Sequence, residues 1–202
     1  MTKLLSQRWY NFLSPIARGI LRIFHPVIKV KGLENIPQGP SVLCVNHSGL
    51  LDPGWVVVWC RLDKLPRTMA KKELFRSKFM SRILSKIGAF PVDREGSDIS
   101  AIKTAFQTLK EGNRLLIFPE GTRIRKGKTS QPHSGAALIA SRMHVPLVPI
   151  YLSNKRFIFS PVHLIVGEPI DLEFAGSKPT AQELQDRSDA MMKQIYRMGE
   201  QL

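Results

Sequence analysis

The period of the apolar positions changes repeatedly along this chain, and each change marks an element. From residue 3 to 24, Leu4, Leu5, Trp9, Phe12, Leu13, Ile16, Ile20, Leu21, Ile23 and Phe24 recur at roughly helical spacing. This predicts an amphipathic helix with Pro15 as its candidate break. Its charges, Lys3, Arg8, Arg18 and Arg22, are all positive, and no acid occurs before Glu34. A basic amphipathic helix with Trp and Phe suits an anchor lying in a membrane interface, and a helix packed on its own domain is the alternative.

Beyond residue 26, short apolar runs alternate with helical stripes. Residues 27–31, 41–45, 67–70, 89–92, 114–118, 146–152 and 162–166 read as strands. Residues 52–60, 74–87, 97–111 and 135–143 read as helices. In 74–87 the stripe is Phe75, Phe79, Ile83 and Ile87; in 97–111 it is Ile99, Ile102, Phe106 and Leu109. Thr180 and Glu183 form a capping box that opens a last helix, with Leu184, Met191, Ile195 and Met198 inward. The alternation predicts an α/β domain over 27–202, with a largely parallel sheet flanked by helices, preceded by the amphipathic segment 1–26.

Two stretches place polar residues at strand ends, where α/β sheets bind ligands. In "CVNHSGLLDP", 44–53, His47 precedes Asp52 by five residues. On one continuous helix their side chains would point about 140° apart. In a strand–turn–helix, with Gly49 loosening the turn, Asp52 at the cap and Pro53 at the first helical position, they could meet as a base and its orienting carboxylate. The spacing alone leaves an ordinary helix cap open. In "LLIFPEGTRIRKGK", 115–128, Gly121 permits a close approach or an unusual φ. Arg123 offers a planar fork suited to phosphate, and Glu120 a carboxylate for that fork or for a substrate hydroxyl. Arg125, Lys126 and Lys128 read as a solvated loop tip.

Composition narrows the partners. Thirty Lys and Arg stand against sixteen Asp and Glu in 202 residues, a net charge of +14, which asks for an anionic partner. The span 61–86 holds nine basic residues and two acids, Asp63 and Glu73. Aromatics for base stacking are sparse there, so an anionic membrane surface or a phosphate ligand explains the charge better than nucleic acid. Cys44 and Cys60 lack metal-ligand spacing and read as buried reduced thiols. No stretch has the 18 or so apolar residues of a spanning helix.

With these residues in view, the chain resembles the glycerolipid acyltransferases. "NHSGLLD" resembles their NHxxxxD motif and "FPEGTR" their second signature. "KKELF" with "GAFPVDR" (88–94), and "VPLVPI" (145–150), resemble the two remaining blocks, in the family's order. Ile124 stands where the family commonly has Ser or Thr. The most similar type is the bacterial 1-acylglycerol-3-phosphate acyltransferase. The resemblance implies that His47, oriented by Asp52, deprotonates the sn-2 hydroxyl of lysophosphatidic acid, which attacks an acyl thioester (acyl-CoA or acyl carrier protein) directly. It implies Glu120, Gly121, Thr122 and Arg123 at the glycerol-phosphate end, with Arg94 and Lys72 near the phosphate. It further implies no metal, no cofactor, no acyl-enzyme, and work at the cytoplasmic side of the cell membrane without a transmembrane span. Another acceptor within the family, or a non-catalytic lipid binder, is the alternative.

Overall fold

The computed structural model describes residues 7–93, 98–124, 130–154, 156–174 and 178–202. In chain order its main elements are α1 (Gln7–Phe24), β1 (Ile28–Lys31), β2 (Val42–Val45), α2 (Asp52–Trp59), β3 (Arg67–Lys71), α3 (Lys78–Lys86), β4 (Ala89–Val92), α4 (Ile99–Lys110), β5 (Leu115–Ile117), α5 (Gly135–Met143), β6 (Leu147–Leu152), β7 (Val162–Val166) and α6 (Ala181–Glu200). The strands form one sheet in the order β1-β7-β6-β2-β5-β3-β4. β6, β2, β5, β3 and β4 run parallel. β7 pairs antiparallel with β6, and β1 pairs parallel with β7. The α/β fold with a largely parallel sheet is the one expected.

Burial follows sheet position. Every residue of β2 and β5 is buried, as both faces of a central parallel strand require. The edge strand β1 alternates half-buried with exposed residues. Trp55, Val56 and Trp59 of α2 pack with Leu43 and Val45 on one face. Ala136, Ala137, Ile139 and Ala140 of α5 pack with Val42, Cys44, Leu115 and Ile117 on the other. The neighbours β2 and β5 therefore send their following helices to opposite faces. That arrangement opens a crevice beyond their carboxyl ends.

α1 passes through Pro15 without ending. Proline removes only its own amide bond to the Asn11 carbonyl, and both residues lie on the exposed side of the helix, where water can satisfy that carbonyl. The opposite side docks on α2. The Tyr10 hydroxyl donates to the Val57 carbonyl at 2.9 Å, Arg18 donates to the Val58 carbonyl at 3.2 Å, and Arg22 lies over the Trp59 ring. Trp9, Phe12, Leu13, Ile16, Ile20, Ile23 and Phe24 are exposed. The helix thus packs on the domain through a mixed face and turns its most apolar face outward. Leu4, Leu5 and Lys3 lie outside the described residues.

The helix expected over 74–87 is two elements. A 3-10 turn covers Lys72–Phe75, then Ser77 caps α3, accepting from the Met80 amide. The apolar stripe faces outward: Phe79, Ile83 and Ile87 are exposed, and no residue of α3 is buried. Ile99 of α4 is likewise exposed; Ala101, Ala105, Thr108 and Leu109 form its buried face. The capping box on α6 forms as expected. Among the described residues no helix is long and apolar enough to cross a membrane.

Candidate active site

β2 delivers Asn46 and His47 to the crevice. Asn46 is buried and ties the strand end to β6. Its amide donates to the Leu152 carbonyl at 2.9 Å and to Asn154 Oδ1 at 2.8 Å, and its oxygen accepts from the Leu152 amide at 2.8 Å. The next residue turns off the sheet. His47 Nδ1 meets Asp52 Oδ2 at 2.8 Å. The same oxygen accepts the Ser48 and Gly49 amides at 2.7 and 2.8 Å. An ionised carboxylate accepts only, so the imidazole carries its proton on Nδ1 and leaves Nε2 as the lone-pair nitrogen.

Asp52 differs from a simple cap. Leu51 is the N-cap and Asp52 the first helical residue; its carboxylate folds back over the preceding turn instead of capping forward. Gly49 serves close approach where flexibility was expected. A Cβ there would lie 2.8 Å from Arg156 Nη2 and 3.1 Å from Asp52 Oδ1. Arg156 closes the far side, donating to Asp52 Oδ1 and, at 3.1 Å, to Ser48 Oγ. Burial acts to raise the Asp52 carboxyl. The bonds from His47, Gly49 and Ser48 and the charge of Arg156 outweigh it and hold the group below the ordinary carboxylate value.

β5 brings the second loop alongside. Phe118 stacks on the His47 ring, centroids 4.4 Å apart. Glu120 is buried, and its Oε2 accepts the His47 amide at 2.6 Å. The Ile124 amide donates to the His47 carbonyl at 2.8 Å. The histidine's backbone is therefore held at both ends by this loop. Since Ile124 acts through its amide, a Ser or Thr there is not required for that bond. The other oxygen of Glu120 accepts the Tyr196 hydroxyl from α6. Burial pushes the Glu120 carboxyl up, and the donors from Tyr196 and His47 oppose it only in part. Burial and the neighbouring carboxylate raise the Tyr196 phenol, which stays the donor.

The two loops border an apolar cavity of about 500 Å³, lined by His47, Leu50, Leu51, Phe118, Thr122 and Arg123, with Tyr10 and Leu13 of α1 on its wall. Arg123 and Thr122 are exposed at this cavity. Gly121, at φ +66°, faces a different cavity on the α4/α5 side, against the His133 ring, where a Cβ would lie 2.5 Å from Nε2. Lys72 pairs with Asp93, while Lys71, one residue earlier at the end of β3, lines the His47 cavity; successive side chains leaving a strand take opposite sides. Arg94, Arg125, Lys126 and Lys128 lie outside the described residues. Cys44 and Cys60 are buried and free. Burial raises both thiols, that of Cys60 to about 12.

Sequence reading missed Arg156, Tyr196, Asn46 and Lys71. Arg156 and Tyr196 act across 104 and 76 residues of chain, a distance over which no local pattern signals a partner.

At the switch point of the largely parallel sheet, His47 contacts a buried carboxylate and opens on an apolar cavity, an arrangement suited to proton transfer beside an apolar ligand. The chain belongs to the acyltransferase family: residues 27–153 match the family described as Acyltransferase. It is accordingly an O-acyltransferase. It is 35% identical over 202 residues to the 1-acyl-sn-glycerol-3-phosphate acyltransferase of Bacillus subtilis, covering 96% of this chain and 98% of that one. The enzyme of the same name from Pseudomonas aeruginosa is 27% identical, covering 93% and 75%. The crystal structure of the 1-acyl-sn-glycerophosphate (LPA) acyltransferase PlsC from Thermotoga maritima shares the fold, with a TM-score of 0.70 at 22% identity over 96% of this chain and 80% of that one.

Proposed function

We propose that the protein transfers an acyl chain from a thioester, acyl-CoA or acyl carrier protein, to the sn-2 hydroxyl of 1-acylglycerol-3-phosphate, giving phosphatidic acid at the cytoplasmic surface of the cell membrane. The observation that carries this reading is the 2.8 Å contact of His47 with buried Asp52 beside an apolar cavity that Arg123 also lines. His47 Nε2 takes the proton of the acceptor hydroxyl as that oxygen attacks the thioester carbonyl. Asp52 stabilises the resulting imidazolium. The carbon–sulfur bond then breaks, and the imidazolium returns its proton to the leaving thiolate. Arg123 and Thr122 hold the phosphate end, with Lys71 and Arg94 as further cations, and the apolar cavity takes an acyl chain. Glu120 acts as a positioning residue through the His47 backbone. No metal or cofactor takes part in this scheme.

Two things support the membrane setting. The outward apolar face of α1 and the exposed Leu50, Leu51, Phe79 and Ile83 lie on elements around the cavity mouth. The surface charge is strongly positive. The test is acylation by purified protein, crossing acyl-CoA and acyl carrier protein donors with lysophosphatidic acid, glycerol 3-phosphate and neutral lysophospholipids. Thioester-dependent formation of phosphatidic acid is expected, reduced about 10²- to 10⁴-fold or more in His47→Ala. Equal rates in the two proteins would remove His47 as the base, and preference for another acceptor would reassign the substrate.

A further inference from the structure

Phe157, Ile158 and Phe159 are 74%, 64% and 70% exposed, in a chain whose core strands are fully covered. They sit at the tip of the connection from β6 to β7. Three neighbouring large apolar side chains in water are costly and mark a contact surface. The tip is also strained, since Phe159 holds φ +66°, a conformation that favours glycine. An exposed ring there earns nothing from the core.

We propose that Phe157, Ile158 and Phe159 form a wedge that inserts into an anionic bilayer beside α1. The inference rests on the membrane-surface reading above and adds a second point of attachment to it. The tip is continuous with the outward apolar face of α1. The Phe159 amide donates to the Phe24 carbonyl at 2.6 Å, and His25 Nδ1 lies 3.2 Å from the Ser160 carbonyl. Ile23 and Phe24, at that end of α1, are exposed as well. The turn satisfies polar groups internally: the Phe157 carbonyl accepts both the Ser160 amide and hydroxyl, which suits entry into a region without water.

Charge selects the bilayer over an apolar protein partner. No Asp or Glu occurs before Glu34 or between Glu120 and Glu168. The only charges in the stretches that build this surface are therefore basic, with Lys29 and Lys31 exposed on the neighbouring edge strand β1. Arg156, which braces Asp52 and Ser48, immediately precedes the wedge. Seating the wedge and seating the base-orienting carboxylate thus share one short segment.

The test uses the full chain and sedimentable vesicles of phosphatidylcholine with phosphatidylglycerol. The Phe157→Ser/Phe159→Ser double variant should partition at least roughly tenfold more weakly than wild type, the loss expected if even one of the two rings it removes is buried in the bilayer. Its acylation of a short-chain, water-soluble acceptor should be unchanged. Separately, Ile158→Cys can be labelled selectively, because Cys44 and Cys60 are buried. An environment-sensitive fluorophore there should brighten on vesicles and be quenched by lipids spin-labelled in the acyl chain. If wild type and the double variant bind equally and the label stays unquenched, the wedge is wrong while the membrane reading stands. If wild type itself fails to sediment with vesicles, and a Trp9→Ser/Phe12→Ser variant behaves identically, the membrane reading fails and the wedge with it.

Discussion

Asp52 shows how much of this site depends on single atoms. Its Oδ2 gathers His47, Ser48 and Gly49, and its Oδ1 takes Arg156. Folding favours its ionised form, so its folded pKa lies below the ordinary 3.8. A depressed acid stabilises the fold above its unfolded pKa, and that stabilisation is lost as pH falls through the folded value. Melting curves taken from pH 6 downward should therefore show wild type losing more stability below about pH 4 than Asp52→Asn does. The same variant should lose roughly 10²- to 10⁴-fold in kcat/KM at neutral pH, because a neutral amide neither stabilises the imidazolium nor enforces the tautomer. Tyr196→Phe leaves buried Glu120 one donor short. A cost of about 1–3 kcal/mol by urea unfolding is expected, with a fall in kcat as His47's backbone support loosens. His47 and Asp52 were legible through their motif. Arg156 and Tyr196 were not, because nothing local distinguishes a long-range partner from a surface arginine or an ordinary helical tyrosine.

At the scale of elements, glycines let side chains of neighbouring elements pack directly on the backbone near the site. Gly199 of α6 packs on β6 so tightly that a Cβ would lie 2.3 Å from the Tyr151 ring. Gly199→Ala gains up to about 1 kcal/mol of helix propensity, yet overpacking of this kind costs about 1–3 kcal/mol. A lowered Tm is expected. Because Tyr196 lies one turn away, a drop in activity should accompany it; an unchanged melting curve would show that α6 shifts freely. Element types followed from periodicity at most positions, since strand runs and helical stripes are local properties. The failures were also local in cause. Ser77 starts a new helix inside 74–87, and the apolar stripe of α3 faces outward, which periodicity cannot reveal. Pro15 broke nothing because its orphaned carbonyl lies on the exposed side of α1.

Across the whole molecule, the net charge of +14 is the largest long-range force available. If the protein works on an anionic surface, vesicle binding should weaken steeply between 0.1 M and 1 M salt, as the Debye length shrinks from about 10 Å to about 3 Å. A salt-independent remainder should persist from the apolar contacts of α1. Sedimentation at several salt concentrations separates the two contributions, and full salt independence would argue against electrostatic attraction.

The sequence alone determined the α/β class, the alternation of elements, the two strand-end loops and the His47–Asp52 and Glu120–Arg123 motifs, because all of these are set by neighbours within a few residues. Only the tertiary structure decided what those loops do to each other. It placed β2 beside β5 with their helices on opposite faces, turned Glu120 inward onto the His47 backbone, brought Arg156 and Tyr196 to the carboxylates, and put Lys71 rather than Lys72 at the cavity. Such pairings depend on strand order and on which way a side chain leaves its element, and neither is written in any short stretch of chain.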